Sequence, residues 1–163
     1  ARSLRSLGQA AQGQSEYKRA VEFLEESLIL YKEIEGNVGA AMSLCFLGRA
    51  EADRGNLDKA TKLVKDGFSI FQEMGNKWGV AWCFECLASV ALYRDRAKQA
   101  VRLFGAAEAL RDAAGVPVAH ADRVEYDKEV AAVRSKLGNE KFSALWAEGR
   151  SISIEEAIEY ALE

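Results

Sequence analysis

FECLASVALYRDRAKQAVRLFGAA, residues 84–107, decides the fold of this chain, because its pattern of apolar and small residues occurs three times. The pattern places such residues at positions 84, 87, 88 and 91, and again at 100, 104 and 107. Forty residues earlier the same places hold Leu44, Leu47, Gly48, Glu51, Ala60, Val64 and Gly67. Forty residues earlier again they hold Leu4, Leu7, Gly8, Ala11, Ala20, Leu24 and Ser27. Neither alignment needs a gap, so the chain contains three copies of one unit.

Each copy is predicted to be a hairpin of two helices. Its spacings of three and four residues keep one stripe on one side of a helix. A small residue stands beside the central leucine of each copy: Gly8, Gly48 and Ala88. Small residues at fixed places let two helix backbones approach closely. One hairpin cannot bury its apolar face alone, so neighbouring hairpins must stack. We therefore expect an all-α fold with Leu7, Leu47 and Leu87 in equivalent places.

This pattern resembles the tetratricopeptide repeat, whose signature is W-x2-L-G-x2-Y…A-x3-F…P. The resemblance covers roughly residues 1–115, but it lacks the signature Trp, Tyr and Pro, and its period is 40 residues rather than 34. It implies a right-handed superhelix of antiparallel helix hairpins, an α-solenoid. The repeats would occupy about 1–38, 39–77 and 78–115, and capping helices would fill 116–163.

Turn residues predict where the helices begin and end. Gly-Asn pairs are expected to stop the second and fourth helices near residues 36 and 75, as residues that tolerate a left-handed C-cap. A later helix is expected to end at Gly149. Ser153 and Glu156 form a capping box that starts the last helix. The helices are predicted at 2–12, 16–34, 39–54, 57–74, 78–93, 97–114 and 120–137, with two more after Gly138.

The C-terminal part carries a second resemblance. AVRLFGAAEALR at 100–111, Tyr126, WAEGR at 146–150 and SIEEAIEYAL at 153–162 are similar to the end of the repeat region in bacterial LuxR-type and related ATPase-containing transcriptional regulators. In that family an ATPase module precedes the repeats, and in many members a helix-turn-helix DNA-binding domain follows. Neither module lies within these 163 residues. The chain also lacks an initiating Met, and we expect it to be a piece of a longer protein.

Composition argues against several classes of function. A net charge of -3 and a pI near 5.4 do not suit direct binding of nucleic acid. No apolar run approaches the roughly 18 residues of a membrane span. Three Cys without a disulfide framework favour a reducing cytoplasm. Cys83 and Cys86 offer two of the four ligands of a structural zinc, so we interpret them as ordinary helix residues and expect no metal.

Catalysis has no candidate residues in this sequence. The single His120 stands next to the start of a predicted helix, and no glycine-rich phosphate loop follows a strand. We therefore predict neither an enzyme nor a cofactor site.

Binding of a protein or peptide is the function that the repeat favours. The resemblance places the first helix of each hairpin on the concave side of the superhelix, where a partner or a small effector would bind. The groove residues predicted there are Arg2, Arg5, Gln9, Gln12, Met42, Cys45, Arg49, Trp82, Glu85 and Ser89. Two alternatives stay open. One is a structural spacer or self-association module that forms a homodimer, and the other is a small-molecule sensor with an apolar cavity near Trp82 and Met42.

Overall fold

The computed structural model describes the helical backbone throughout and the side chains of residues 1–120 and 122–163. Within these residues it contains nine α-helices and no strand, which confirms the all-α fold. The helices are α1 (Arg2–Gly13), α2 (Tyr17–Glu33), α3 (Asn37–Asp53), α4 (Leu57–Glu73), α5 (Lys77–Tyr93), α6 (Ala97–Ala114), α7 (His120–Leu137), α8 (Asn139–Ser151) and α9 (Ile154–Leu162). Most predicted boundaries agree within two residues.

The chain divides into two compact units, Ala1–Gly79 and Val80–Glu163. In the N-terminal unit each helix packs on the next one along the chain, from α1 to α4. In the C-terminal unit α6 contacts α7, α8 and α9, and its contact with α8 is the most extensive. The expected limit between repeats and cap, at residue 115, lies inside this second unit.

Close helix crossings occur at the predicted glycines. A Cβ atom built on Gly8 would lie 2.6 Å from Leu24 Cγ, and one built on Gly48 would lie 2.6 Å from Val64 Cγ2. Real Cβ atoms essentially never make contacts this short. Glycine therefore sets the distance between α1 and α2 and between α3 and α4.

A second kind of glycine contact occurs twice within the N-terminal unit. A Cβ on Gly39 would fall 2.1 Å from the Tyr31 ring, and a Cβ on Gly79 would fall 2.2 Å from the Phe71 ring. The two pairs are related by the 40-residue repeat. An aromatic ring at the end of one hairpin thus packs directly on the backbone that starts the next.

Six turns share one backbone geometry. Their left-handed residues, with φ between 53° and 84°, are Ser15, Glu35, Gly55, Gly75, Asp95 and Gly115. In each turn the next amide donates to the carbonyl five residues earlier, at 2.8–3.0 Å, which is the Schellman arrangement. The prediction for the end of α2 is therefore wrong in detail, because Glu35 and not the Gly-Asn pair adopts the left-handed conformation.

Two further expectations are corrected. Leu7 is 49% exposed, whereas Leu47 and Leu87 are each 2% exposed. Helix α1 packs on α2 and α3, and Leu7 lies on the side that the described helices leave open. Gly149 does not end α8 but lies inside it, where a Cβ would fall 2.1 Å from the Arg102 carbonyl oxygen. Its place is therefore set by helix packing and not by a turn.

The C-terminal unit holds α6 and α8 against each other through glycine on both helices. A Cβ on Gly105 would lie 2.4 Å from the Trp146 carbonyl oxygen, matching the contact of Gly149. A buried cluster beside this crossing joins α6, α7 and α8: Ala97, Val101, Val133, Phe142 and Leu145. The predicted capping box of α9 is confirmed, because Ser153 Oγ accepts from the Glu156 amide and Glu156 Oε2 accepts from the Ser153 amide.

Candidate functional site

The predicted groove residues differ widely in exposure. Arg2 and Gln9 are exposed, and the partly exposed members are Arg5, Gln12, Met42, Arg49 and Ser89. Cys45, Trp82 and Glu85 are 0%, 3% and 8% exposed. This burial contradicts the expectation that these last three side chains line an open groove.

The physical reason is clearest at positions 5, 45 and 85, which are equivalent in the repeat. Arg5 Nη1 donates to Tyr31 Oη at 3.3 Å, and the guanidinium lies 5.7 Å from that ring centre. The Cys45 sulfur lies 2.9 Å from where a Cβ on Gly67 would stand. Glu85 is bound by Arg111. This position therefore faces the second helix of its own hairpin.

Glu85 and Arg111 form a buried ion pair. Arg111 Nε donates to Glu85 Oε1 at 2.5 Å, and Nη2 donates to Oε2 at 2.8 Å. The remaining Arg111 nitrogen donates to the carbonyls of Val116 and Pro117 at 3.5 and 3.4 Å. Arg111 stands where the earlier repeats have Tyr31 and Phe71. A cation thus replaces the aromatic ring and holds the segment between α6 and α7.

The side chains of two other predicted groove residues also form hydrogen bonds within the chain. Gln12 Nε2 donates to Asp53 Oδ2 at 2.6 Å, and Ser89 Oγ donates to Glu129 Oε2 at 2.8 Å. Helix α7 therefore supplies a partner to the last predicted groove position. On α1 and α3, Arg2 and Gln9 are exposed, and Met42 and Arg49 are partly exposed.

An open cleft of about 390 Å³ lies between α7 and α8, and we call it the α7–α8 cleft. Its lining residues are Glu108, Tyr126, Val130, Arg134, Phe142, Ser143, Trp146, Ala147 and Arg150. Most come from two helical stripes with a spacing of four residues, at 126, 130 and 134 on α7 and at 142, 146 and 150 on α8. This spacing puts each set on one helix face.

Aromatic packing and ion pairs fix the α8 wall of the cleft. The Trp146 ring stands 6.3 Å from Phe104 and 5.1 Å from Phe142, between centroids. Trp146 Nε1 and Arg150 Nη1 both donate to Glu108 Oε2, at 2.5 and 2.6 Å. Arg150 Nη2 also contacts Asp112 Oδ2 at 2.9 Å. The charge of Arg150 is therefore balanced within the protein.

The α7 wall carries two polar side chains that have fewer partners within the protein than Trp146 and Arg150 have on the α8 wall. The Arg134 guanidinium lies 4.5 Å from the Phe142 ring centre and forms no ion pair with any described residue. The Tyr126 ring packs edge-on against Phe104, at 5.5 Å between centroids. Burial raises the pKa of Tyr126, and the negative charges of Glu85 and Glu108 raise it further, so its hydroxyl stays neutral at physiological pH.

The sequence analysis did not predict this cleft, although the sequence contains the residue spacings of both helix faces that line it. The spacing of Phe142 and Trp146 predicts a shared helix face, and Tyr126 belongs to the stripe of α7. Only the packing of α7 on α8 turns these stripes toward each other.

Among the described residues no group of His, Cys, Asp or Glu is arranged to hold a metal ion. No described helix combines the length and apolar character that crossing a bilayer requires.

Comparison with known proteins gives two matches of different extent. Residues 1–73 match the family model of the tetratricopeptide repeat. One protein of Mycobacterium bovis and two of Mycobacterium tuberculosis, each provisionally named an HTH-type transcriptional regulator, are 31% identical to this chain over 120 residues. The matched region is 74% of this chain but 14% of each relative. No solved structure matches this chain.

Proposed function

We propose that this chain is the tetratricopeptide-type interaction module of a bacterial LuxR-type, ATPase-containing transcriptional regulator, acting in the cytoplasm. The observation that carries the proposal is the similarity over 120 residues to proteins named as transcriptional regulators. Two features support it: the repeat match over residues 1–73 and the resemblance of residues 100–162 to the end of such repeat regions. The three buried cysteines are not joined in a disulfide among the described residues, which suits a reducing compartment.

A protein or peptide segment is the proposed partner, and α1 and α3 are the proposed surface. Arg2 and Met42 occupy equivalent repeat positions, as do Gln9 and Arg49. Helices α1 and α3 contact each other, so these four side chains belong to neighbouring helices. Their mixture of cationic, amide and thioether groups suits a peptide that presents both acidic and apolar side chains.

The test is a binding measurement on a partner captured by the 163-residue chain. A fluorescent peptide from that partner would be titrated with the wild type and with the double variant Arg2→Glu, Met42→Glu. We expect affinity to fall at least about tenfold, because one favourable charge is reversed and one apolar contact is lost.

The matched control is Lys62→Glu with Ile70→Glu on α4. It changes the net charge by the same amount and replaces one partly exposed apolar residue. We expect it to bind like the wild type. Equal weakening by both double variants, or no effect of either, would contradict the proposed surface.

The proposal also predicts the surroundings of this segment in its parent protein. A nucleotide-binding ATPase motif should precede it and a helix-turn-helix domain should follow it. Sequencing the coding DNA on both sides provides the test. A parent protein without either module would refute the assignment to this class of regulator.

A further inference from the structure

Two hydrogen-bond donors of the α7–α8 cleft have no acceptor among the residues that the structure describes. Arg134 has Val130, Ala131, Leu137 and Gly138 at the helical positions three and four residues away, so no carboxylate on its own helix can reach it. Its contact within the described protein is the face of Phe142. The Tyr126 hydroxyl likewise has no hydrogen-bond partner among the described residues. Both groups can therefore donate to a bound molecule.

The charges around the cleft make one of its ends attractive to an anion. Glu108 is bound to Arg150 and Trp146, and Asp112 is bound to Arg150. Among the described residues that line the cleft, Arg134 is therefore the cation without a carboxylate partner. An anion is therefore attracted to the Arg134 end, and the Glu108 carboxylate disfavours a second anionic group beside it.

The space between the two donors is apolar. Val130 lies midway between Tyr126 and Arg134, which stand about 12 Å apart along α7 by helical rise. Phe142, Trp146 and Ala147 line the opposite side. A volume of about 390 Å³ lies within the range of small-molecule sites, about 300–1,000 Å³.

From this arrangement we infer that the α7–α8 cleft binds a small monocarboxylate with an apolar, planar body. The carboxylate pairs with the Arg134 guanidinium, whose fork of N–H groups matches two carboxylate oxygens. The apolar body lies over Val130 and against the Trp146 side of the cleft. The carboxylate and the apolar body are the two features that the site requires. A larger ligand with a polar acceptor at its far end would also accept a hydrogen bond from the Tyr126 hydroxyl. The site would make the segment a sensor of a small effector, and it does not depend on partner binding by α1 and α3.

The test uses 2-naphthoate as the probe and isothermal titration calorimetry on the 163-residue chain. We expect saturable binding at one site. We also expect the neutral analogue 2-naphthamide to bind at least about tenfold more weakly, because it lacks the charge that Arg134 recognises. Chemical-shift changes in an amide-resolved NMR spectrum should concentrate in α7 and α8.

Three variants locate the site. Arg134→Gln should weaken 2-naphthoate binding about tenfold or more, and Arg134→Lys should restore part of the loss. Ala147→Phe should abolish binding by filling the cleft. Lys128→Gln is the matched control, since it removes the same charge from α7 at an exposed residue that pairs with Glu125 at 3.9 Å. We expect it to bind like the wild type.

The results that would overturn the inference are equally specific. They are the absence of saturable 2-naphthoate binding at millimolar concentration, equal affinity for 2-naphthamide, or unchanged affinity in both Arg134→Gln and Ala147→Phe. Circular dichroism of each variant would establish that its helices are intact. Absence of 2-naphthoate binding by the wild-type chain, together with intact partner-peptide binding, would refute the effector site alone.

Discussion

Single glycines determine how closely the paired helices approach each other. At Gly48 a side chain would meet Val64 Cγ2 at 2.6 Å and the Ala60 carbonyl oxygen at 3.1 Å. The first contact could be relieved by a rotation of Val64, but the second involves backbone and could be relieved only by moving a helix. Glycine is therefore required at position 48 because it has no side chain, and not because its backbone is flexible.

We predict that Gly48→Leu destabilises the protein by about 3 kcal/mol or more, because the larger side chain forces α3 and α4 apart. Urea unfolding followed by circular dichroism measures the change. Gly13→Ala is the control, since a Cβ at Gly13 would meet no described atom of a packing neighbour within 4 Å. Unchanged unfolding of the Gly48 variant would mean that the crossing is looser than the structure shows.

Glu51 is a second residue with a structural role, because its buried carboxylate joins the end of α3 to α4. Its oxygens accept from Asn56 Nδ2 and Lys59 Nζ, each at 2.6 Å. Burial acts to raise the pKa of Glu51. The hydrogen bonds from Asn56 and Lys59, with the charges of Lys59 and Arg54, outweigh burial and lower the pKa below its ordinary value of 4.5.

We predict that Glu51→Gln lowers the free energy of unfolding by about 1–2 kcal/mol at pH 7. The folded-state pKa of Glu51 is below the unfolded value, so its stabilisation is complete above about pH 4.5 and is lost as pH falls through the folded-state pKa. The difference between wild type and variant should therefore shrink in acid. Urea unfolding at a series of pH values provides the measurement, and a difference that persists well below pH 4 would contradict the assignment.

At the scale of elements, a helix and the turn that follows it recur with a period of 20 residues. Helices α2 to α5 are each 17 residues long, and three turn residues follow each of them. The same left-handed turn serves within hairpins and between them. A 40-residue repeat is therefore two half-repeats that share one turn geometry and differ in their side-chain pattern.

In the part of the chain that the structure describes, Glu35 is one of three non-glycine residues that adopt the left-handed conformation. Since this conformation costs an L-residue about 1–2 kcal/mol, we predict that Glu35→Gly stabilises the protein by up to about 1 kcal/mol. The melting temperature should rise by about 2–4 °C. Gly75→Glu, at the equivalent place of the next hairpin, should lower it. A fall in melting temperature for Glu35→Gly would contradict the turn assignment.

At the scale of the whole molecule, α6 belongs to the repeat pattern and also supports the helices that follow it. Its Ala100, Phe104 and Ala107 continue the 40-residue register. The same helix contacts α7, α8 and α9 in the C-terminal unit. The contact with α8 depends on Gly105 and Gly149, where backbone meets backbone.

We predict that Gly149→Val destabilises the C-terminal unit by about 3 kcal/mol or more, because a Cβ would collide with the Arg102 carbonyl group. Hydrogen exchange followed by mass spectrometry should show lost protection in α6 and α8. Ala144→Val, on an exposed part of α8, is the control and should cost only a few tenths of a kcal/mol. Equal protection in Gly149→Val and wild type would show that α8 does not rest on α6 at this point.

The sequence by itself determined the all-α fold, most helix boundaries, the close glycine crossings at Gly8 and Gly48 and the capping box of α9. These features depend on local spacing and turn chemistry, which neighbouring residues specify directly. Tertiary structure alone decided which residues are accessible. Cys45 and Glu85 share helix periodicity with exposed positions, but packing turns them toward Gly67 and Arg111. It also decided the α7–α8 cleft, because beyond residue 115 no repeat register relates one helix to the next, and only their three-dimensional contacts bring Arg134, Tyr126 and Trp146 to one site.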